Sequence, residues 1–147
     1  MRRSGAAALL AAALATAAGC GAPSYSPYPL DLGESLPGDA FARCRDVLMH
    51  RYEALVRADP AAFLLQTEWA PSQDPPGQRR ASVFRDPDVP GSLAVVVELR
   101  RLRIPLLGLP GWGEPRGDAA AERDLADSLR EALLGPGAVT RQASPSR

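Results

Sequence analysis

The chain has 147 residues, enough for one ordinary domain with its tails. Its 17 basic residues, all arginine, balance 17 acids, and beyond residue 19 the count is 15 against 17. A charge so close to neutral excludes the broad basic surface that phosphate backbones require. The absence of Lys and Asn, and the single isoleucine at Ile104, reflect GC-rich codon usage rather than the needs of a binding site.

Residues 1–19, MRRSGAAALLAAALATAAG, place Arg2 and Arg3 ahead of an apolar run. That run is too short and too Ala-rich to cross about 30 Å of hydrocarbon as an anchor. It also lacks the polar face and cap of a helix belonging to a folded domain. Positive charge, apolar stretch and small residues in that order predict an export signal that is removed.

Ala17-Ala18-Gly19-Cys20 then resembles a lipobox, the cleavage site of bacterial lipoproteins. The resemblance implies that the Cys20 sulfur receives a diacylglyceryl group and that Cys20 becomes the mature N-terminus. Lipoboxes usually carry Leu where Ala17 stands, and Ala15-Thr16-Ala17 also fits ordinary A-x-A cleavage. A disulfide to Cys44 is the competing use of Cys20, worth about 3 kcal/mol in the chain-entropy model. A metal site would need more ligands than two cysteines and His50 supply, and a catalytic thiol would need a positioned histidine. With two or more acyl chains, each buried methylene contributing about 0.8 kcal/mol, membrane attachment becomes stable. Gly21, standing where inner-membrane lipoproteins carry Asp, implies by the same resemblance the periplasmic face of the outer membrane.

Residues 20–38 hold Pro23, Pro27, Pro29 and Pro37 among Ser, Gly and Tyr, which predicts an extended spacer. A domain is expected over 39–135 and a loose tail over 136–147. Asp39 is placed to cap a helix whose Phe41, Cys44, Val47, Leu48 and Tyr52 recur at helical spacing. EALVRA, 53–58, is a short strand candidate ended by Asp59-Pro60. In FLLQTEWAP, 63–71, Phe63, Leu65, Thr67 and Trp69 alternate onto one face. PSQDPPGQ predicts a polar hairpin loop and RRASVFRD, 79–86, the next strand. SLAVVVELRRLRI, 92–104, reads as one long strand with Leu93, Val95, Val97 and Leu99 inward and Glu98 and Arg100 outward. DAAAERDLADSLREALLG, 118–135, begins with a capping Asp, ends at Gly135-Pro136 and carries the stripe Leu125, Leu129, Ala132, Leu133. The order α-β-β-β-β-α predicts a two-layer α+β domain, an antiparallel meander of three or four strands with both helices on one face.

As a pattern, residues 39–135, with "QTEW" as the local string, are similar to domains of the BamC-type lipoproteins of the β-barrel assembly machinery. That similarity implies helices across an antiparallel sheet and a role in holding other proteins.

Nothing assembles into a catalytic motif: no G-x-S-x-G, phosphate loop or H-E-x-x-H occurs. His50 stands alone near a helix end, favouring a surface role over that of a base. Asp59, Glu68, Asp86 and Glu98 have no spacing that forces them together. Arg101 and Arg103, on alternate residues, suit anionic groups or simple solvation. The apolar connection IPLLGLPGWGEPRG, 104–117, either tucks against the domain's own core, the favoured expectation, or forms an exposed contact patch. The expected function is that of a non-catalytic binding or assembly module, with no cofactor or metal. Its partner contacts are Leu107, Trp112, Arg101 and Arg103, and its partners the membrane and an envelope protein. The alternative is a carrier or sensor of a small hydrophobic ligand, with a cavity lined by Val95, Val97, Phe63 and Leu129.

Overall fold

The computed structural model describes residues 26–33, 35–105 and 108–135. In chain order its elements are β1 (Tyr28–Asp31), α1 (Ala40–Tyr52), β2 (Leu55–Asp59), β3 (Leu64–Thr67), β4 (Ala70–Gln73) and β5 (Pro76–Arg85). These are followed by β6 (Ser92–Arg100), β7 (Leu102–Arg103), β8 (Gly111–Trp112), β9 (Arg116–Gly117) and α2 (Ala119–Leu134). The main sheet is antiparallel with spatial order β1-β6-β5-β3-β2; β4 extends it along β5 and β9 along β6. The fold is α+β, with helices on one face of the sheet.

Strand alternation explains that placement. Leu65 lies opposite Val83, Val83 opposite Val95, and Leu30 opposite Leu93, so one face is continuously apolar. Cys44 and Leu48 of α1, and Leu125, Ala126, Leu129 and Leu133 of α2, close over it as one core. Phe41 meets Phe63 edge-on, with ring centres 5.4 Å apart. Arg51 ties the helices together, donating to Asp124 at 2.6 Å and to Ser128 at 2.5 Å.

The meander β2-β3-β5-β6 corresponds to the strands expected from sequence, but the sheet has seven strands rather than three or four, and a strand precedes the first helix. The most consequential addition is β1. Tyr28–Asp31 falls inside the segment expected to be spacer, yet Leu30 is fully buried and Ser92 donates through its hydroxyl to the Leu30 carbonyl. Pro29 is tolerated because β1 lies at the sheet edge, where one side of the backbone needs no partner. The sheet therefore takes in Tyr28–Asp31, which precede the residue 39 boundary expected from sequence. Asp39 does occupy the cap position of α1, but its carboxylate accepts from Arg43 instead of a backbone N–H.

Along its outer edge β6 pairs with β1 as far as Val95 and with β9 from Glu98 onward. Val97 falls between the two strands. Its N–H donates to a Glu122 carboxylate oxygen at 3.2 Å, and its carbonyl accepts from the Asp118 N–H at 2.8 Å. Asp118 also caps α2 by accepting from the Ala121 N–H, and its other oxygen accepts from Arg79 at 2.9 Å. Burial pushes the Glu122 carboxyl above its ordinary value of 4.5, opposed by the Val97 hydrogen bond and reinforced by the charge of Asp118.

Two outcomes follow from this packing. Leu30→Ala should destabilise the fold by about 2–4 kcal/mol in chemical denaturation, as expected for a core leucine; a spacer residue would show no change. Because Glu122 keeps its proton longer in the native than in the unfolded chain, the stability it contributes is complete below pH 4.5 and lost as pH rises through its raised native value. The stability of Glu122→Gln relative to wild type should accordingly improve from pH 4 to pH 7. A pH-independent difference between the two denaturation curves would contradict this assignment.

Candidate functional site

At Arg101 the long strand expected over 92–104 breaks, because the chain leaves the main sheet and folds into the separate hairpin β7–β8. Leu102 lies opposite Trp112 and Arg103 opposite Gly111, and Gly113 closes the pair by donating to the Arg101 carbonyl at 2.8 Å. A side chain at Gly113 would put its Cβ 2.9 Å from Arg103 Nε, so a glycine here leaves room for Arg103 across the hairpin. The apolar residues face water: Leu109 is 91% exposed, Ile104 75%, Leu102 52% and Trp112 45%. For the described residues of this loop, the expectation that it tucks against the core is overturned. The hairpin lies outside the main sheet, and none of its described residues joins the core that α1 and α2 close. An open cleft runs along it between Arg103, Ile104, Pro105, Leu109 and Trp112.

The root of the hairpin is held by a stack of cations and indoles on the sheet face away from the helices. The Arg100 guanidinium lies 4.1 Å from the Trp69 ring centre and 4.9 Å from that of Trp112. Arg80 stands 4.7 Å from Trp69. Such contacts contribute about 0.5–1 kcal/mol each when partly exposed. The guanidiniums are fixed in turn: Arg100 donates twice to Gln78 Oε1, at 3.0 and 2.7 Å, and Arg80 donates to Glu98 at 2.7 Å. Gly77 makes this junction possible, since a Cβ there would collide with the Arg100 carbonyl oxygen. Trp69 was expected on the core face with Phe63, Leu65 and Thr67; those three are buried there, but Trp69 is not among the core residues. β3 ends at Thr67, and Glu68 and Trp69 lie outside any strand before β4 starts at Ala70, so the alternation does not carry through to Trp69.

Of the residues expected to contact a partner, Arg101, Arg103 and Trp112 are brought together on this hairpin, all exposed. Leu107 and Cys20 lie outside the described residues. Trp69, Arg100 and Gln78, which set the hairpin's position, were not among the residues expected at a contact site. Their signal was the spacing of two tryptophans around one arginine-rich strand end, legible only once the register is known.

The remaining polar candidates are dispersed. His50 lines an exposed groove between the helices, where Arg51 is engaged by Asp124 and Ser128, and Arg43 by Asp39 and the Ala132 carbonyl. Asp59 accepts from the Ala61 and Ala62 N–H groups and Asp86 from that of Asp88, so both serve turns. Glu98 was expected to face outward; it lies on the face away from the helices but is buried beneath its ion pair with Arg80. Among the described residues no group of three or more His, Cys, Asp or Glu is placed to hold a metal ion. Val95, Val97, Phe63 and Leu129, which would line a ligand cavity, are packed together in the core.

The chain matches no protein-family model, and neither a curated protein nor a solved structure is significantly similar to it.

Cys44 is free, fully buried, and its thiol is pushed up to about 12 by burial. In the native protein at pH 7.5 it should resist a thiol reagent and react once denaturant is added, as read by intact mass. Rapid labelling of Cys44 without denaturant would show that the α1–sheet interface opens readily.

Proposed function

We propose that this chain is a non-catalytic binding module of the bacterial cell envelope, exported, acylated at Cys20 and held on the periplasmic face of the outer membrane. The observation that carries this reading is the hairpin β7–β8, which keeps Leu102, Ile104, Leu109 and Trp112 in water beside Arg101 and Arg103. A contiguous apolar patch rimmed by charge marks a contact surface, because solvent exposure of such side chains brings a small protein no stability. The rigid Arg100–Trp112 root supports the same reading, since a contact element must be positioned before it meets its partner. A module of this kind acts by proximity, raising the local concentration of an envelope component at the membrane.

The lipobox-like residues supply the means of attachment, and Cys44, the competing partner for Cys20, is a free thiol in the core. The dispersal of Asp59, Asp86 and His50 favours binding over chemistry. The carrier alternative loses ground for a related reason: the side chains that would line its cavity fill one another's space.

Expressed in a bacterial host, the wild type should give an intact mass with an acylated N-terminus at Cys20 and fractionate with membranes, while Cys20→Ala should appear in the soluble fraction. An unmodified Cys20, or one bonded to Cys44, would overturn the anchor. Ile104→Ser and Leu109→Ser should change stability by less than about 0.5 kcal/mol, as exposed positions do; a larger loss would mean that the hairpin belongs to the core.

A further inference from the structure

The direction of β1 says which surface the hairpin meets. β1 runs antiparallel to β6: Asp31 lies opposite Ser92 and Tyr28 opposite Val95. Followed backward from Asp31 to Tyr28, the chain advances along β6 toward Arg100, beyond which β7–β8 begins. The N-terminal segment thus enters the sheet from the end that carries the hairpin. Its length is limited as well. Cys20 is eight residues before Tyr28, and fully extended chain spans at most about 3.6 Å per residue, so no more than about 29 Å separates them. On the reading that Cys20 is acylated, the tether keeps Tyr28 within about 29 Å of its point of attachment, and the end of the sheet nearest the tether is the one bearing Ile104, Leu109 and Trp112.

The chemistry of that end suits a lipid surface. Arg101, Arg103 and Arg116 are exposed around it, with Glu114 the one acid in the segment 101–117. Arginine meets phosphate oxygens through two parallel hydrogen bonds, and a tryptophan beside aliphatic side chains settles at the headgroup boundary. We propose that the β7–β8 hairpin docks on the anionic bilayer surface, Ile104, Leu109 and Trp112 entering the interface while Arg101 and Arg103 hold lipid phosphates. The docking rests on the acylation reading for its geometry but uses residues independent of Cys20. It also fixes the orientation of the domain: the α1–α2 layer and the far end of the sheet are left facing away for an envelope partner.

The test uses the mature protein extracted from membranes and reconstituted in two kinds of vesicle. One is phosphatidylcholine alone and the other contains a third phosphatidylglycerol, both with brominated acyl chains. Trp69→Phe leaves Trp112 as the sole tryptophan. On phosphatidylglycerol vesicles its emission should shift to the blue and be quenched by bromine. Both effects should fall several-fold on phosphatidylcholine, in 0.5 M NaCl, or in the double variant Arg101→Ala, Arg103→Ala, each arginine contributing about a factor of five at an anionic surface. Hydrogen exchange of the unsubstituted protein gives the same answer without altering Trp69: the amides of 102–112 should become protected on anionic vesicles only. A protein that stays on vesicles through an acylated Cys20 while Trp112 remains unquenched and 102–112 unprotected overturns the docking, leaves the anchor intact and turns the hairpin over to a protein partner. Quenching by a protein whose mass shows an unmodified Cys20 upholds the docking and removes the anchor. Failure to associate with any vesicle overturns both.

Discussion

The two hydrogen bonds at Val97 join the parts of this fold that chain order would leave separate. A buried backbone N–H and C=O without partners would each cost about 1–3 kcal/mol. Here the gap between β1 and β9 is closed by the first turn of α2 itself, through the Asp118 N–H and the Glu122 carboxylate. The same Asp118 caps the helix and accepts from Arg79 on β5, so one residue sets helix start, helix position and sheet edge together. Because α2 is pinned there, its leucines meet Val95 and Leu30, and because β9 precedes it directly, the hairpin upstream is held to a short return path. The arrangement uses a buried carboxylate where an apolar side chain would leave the strand edge unsatisfied.

The helices and the central strands were legible because they depend on local pattern. The α2 stripe Leu125, Leu129, Leu133 and its cap Asp118 can be read directly, as can the alternation of Leu65 with Thr67 and of Val95 with Val97. β1 was not legible, since four residues containing one inward leucine and one proline carry too little periodicity, and its place depends on a partner strand distant in sequence. Trp69 was misplaced because alternation was extended past Thr67, where β3 ends. The apolar hairpin was recognisable as unusual, but whether such a loop is covered depends on how much core the helices have already sealed, which only the assembled structure reveals. Arg100 illustrates the same limit: its role between two indoles follows from register, not from composition.

The site and the scaffold divide the polar residues between them. Arg79, Arg80 and Arg100 look alike in sequence to Arg101 and Arg103, yet the first three are engaged by Asp118, Glu98 and Gln78 within the sheet. The latter two project from a hairpin that has left the sheet, and the break at Arg101 separates the groups. An arginine-rich strand end therefore holds structural and exposed cations side by side, with a single residue of backbone as the boundary.

The position of β1 has a consequence for the order in which the protein can be made. The chain is synthesised from its N-terminus, so Tyr28–Asp31 emerges well before Ser92–Val95, its one pairing segment among the described residues. Loop closure over that separation comes before any gain from the pairing. The first strand to arrive is thus among the last to be placed, and the sheet cannot be completed until β6 has emerged. Such an architecture defers locking of the N-terminal segment until β6 is in place and α2 is available to seal the edge beside it.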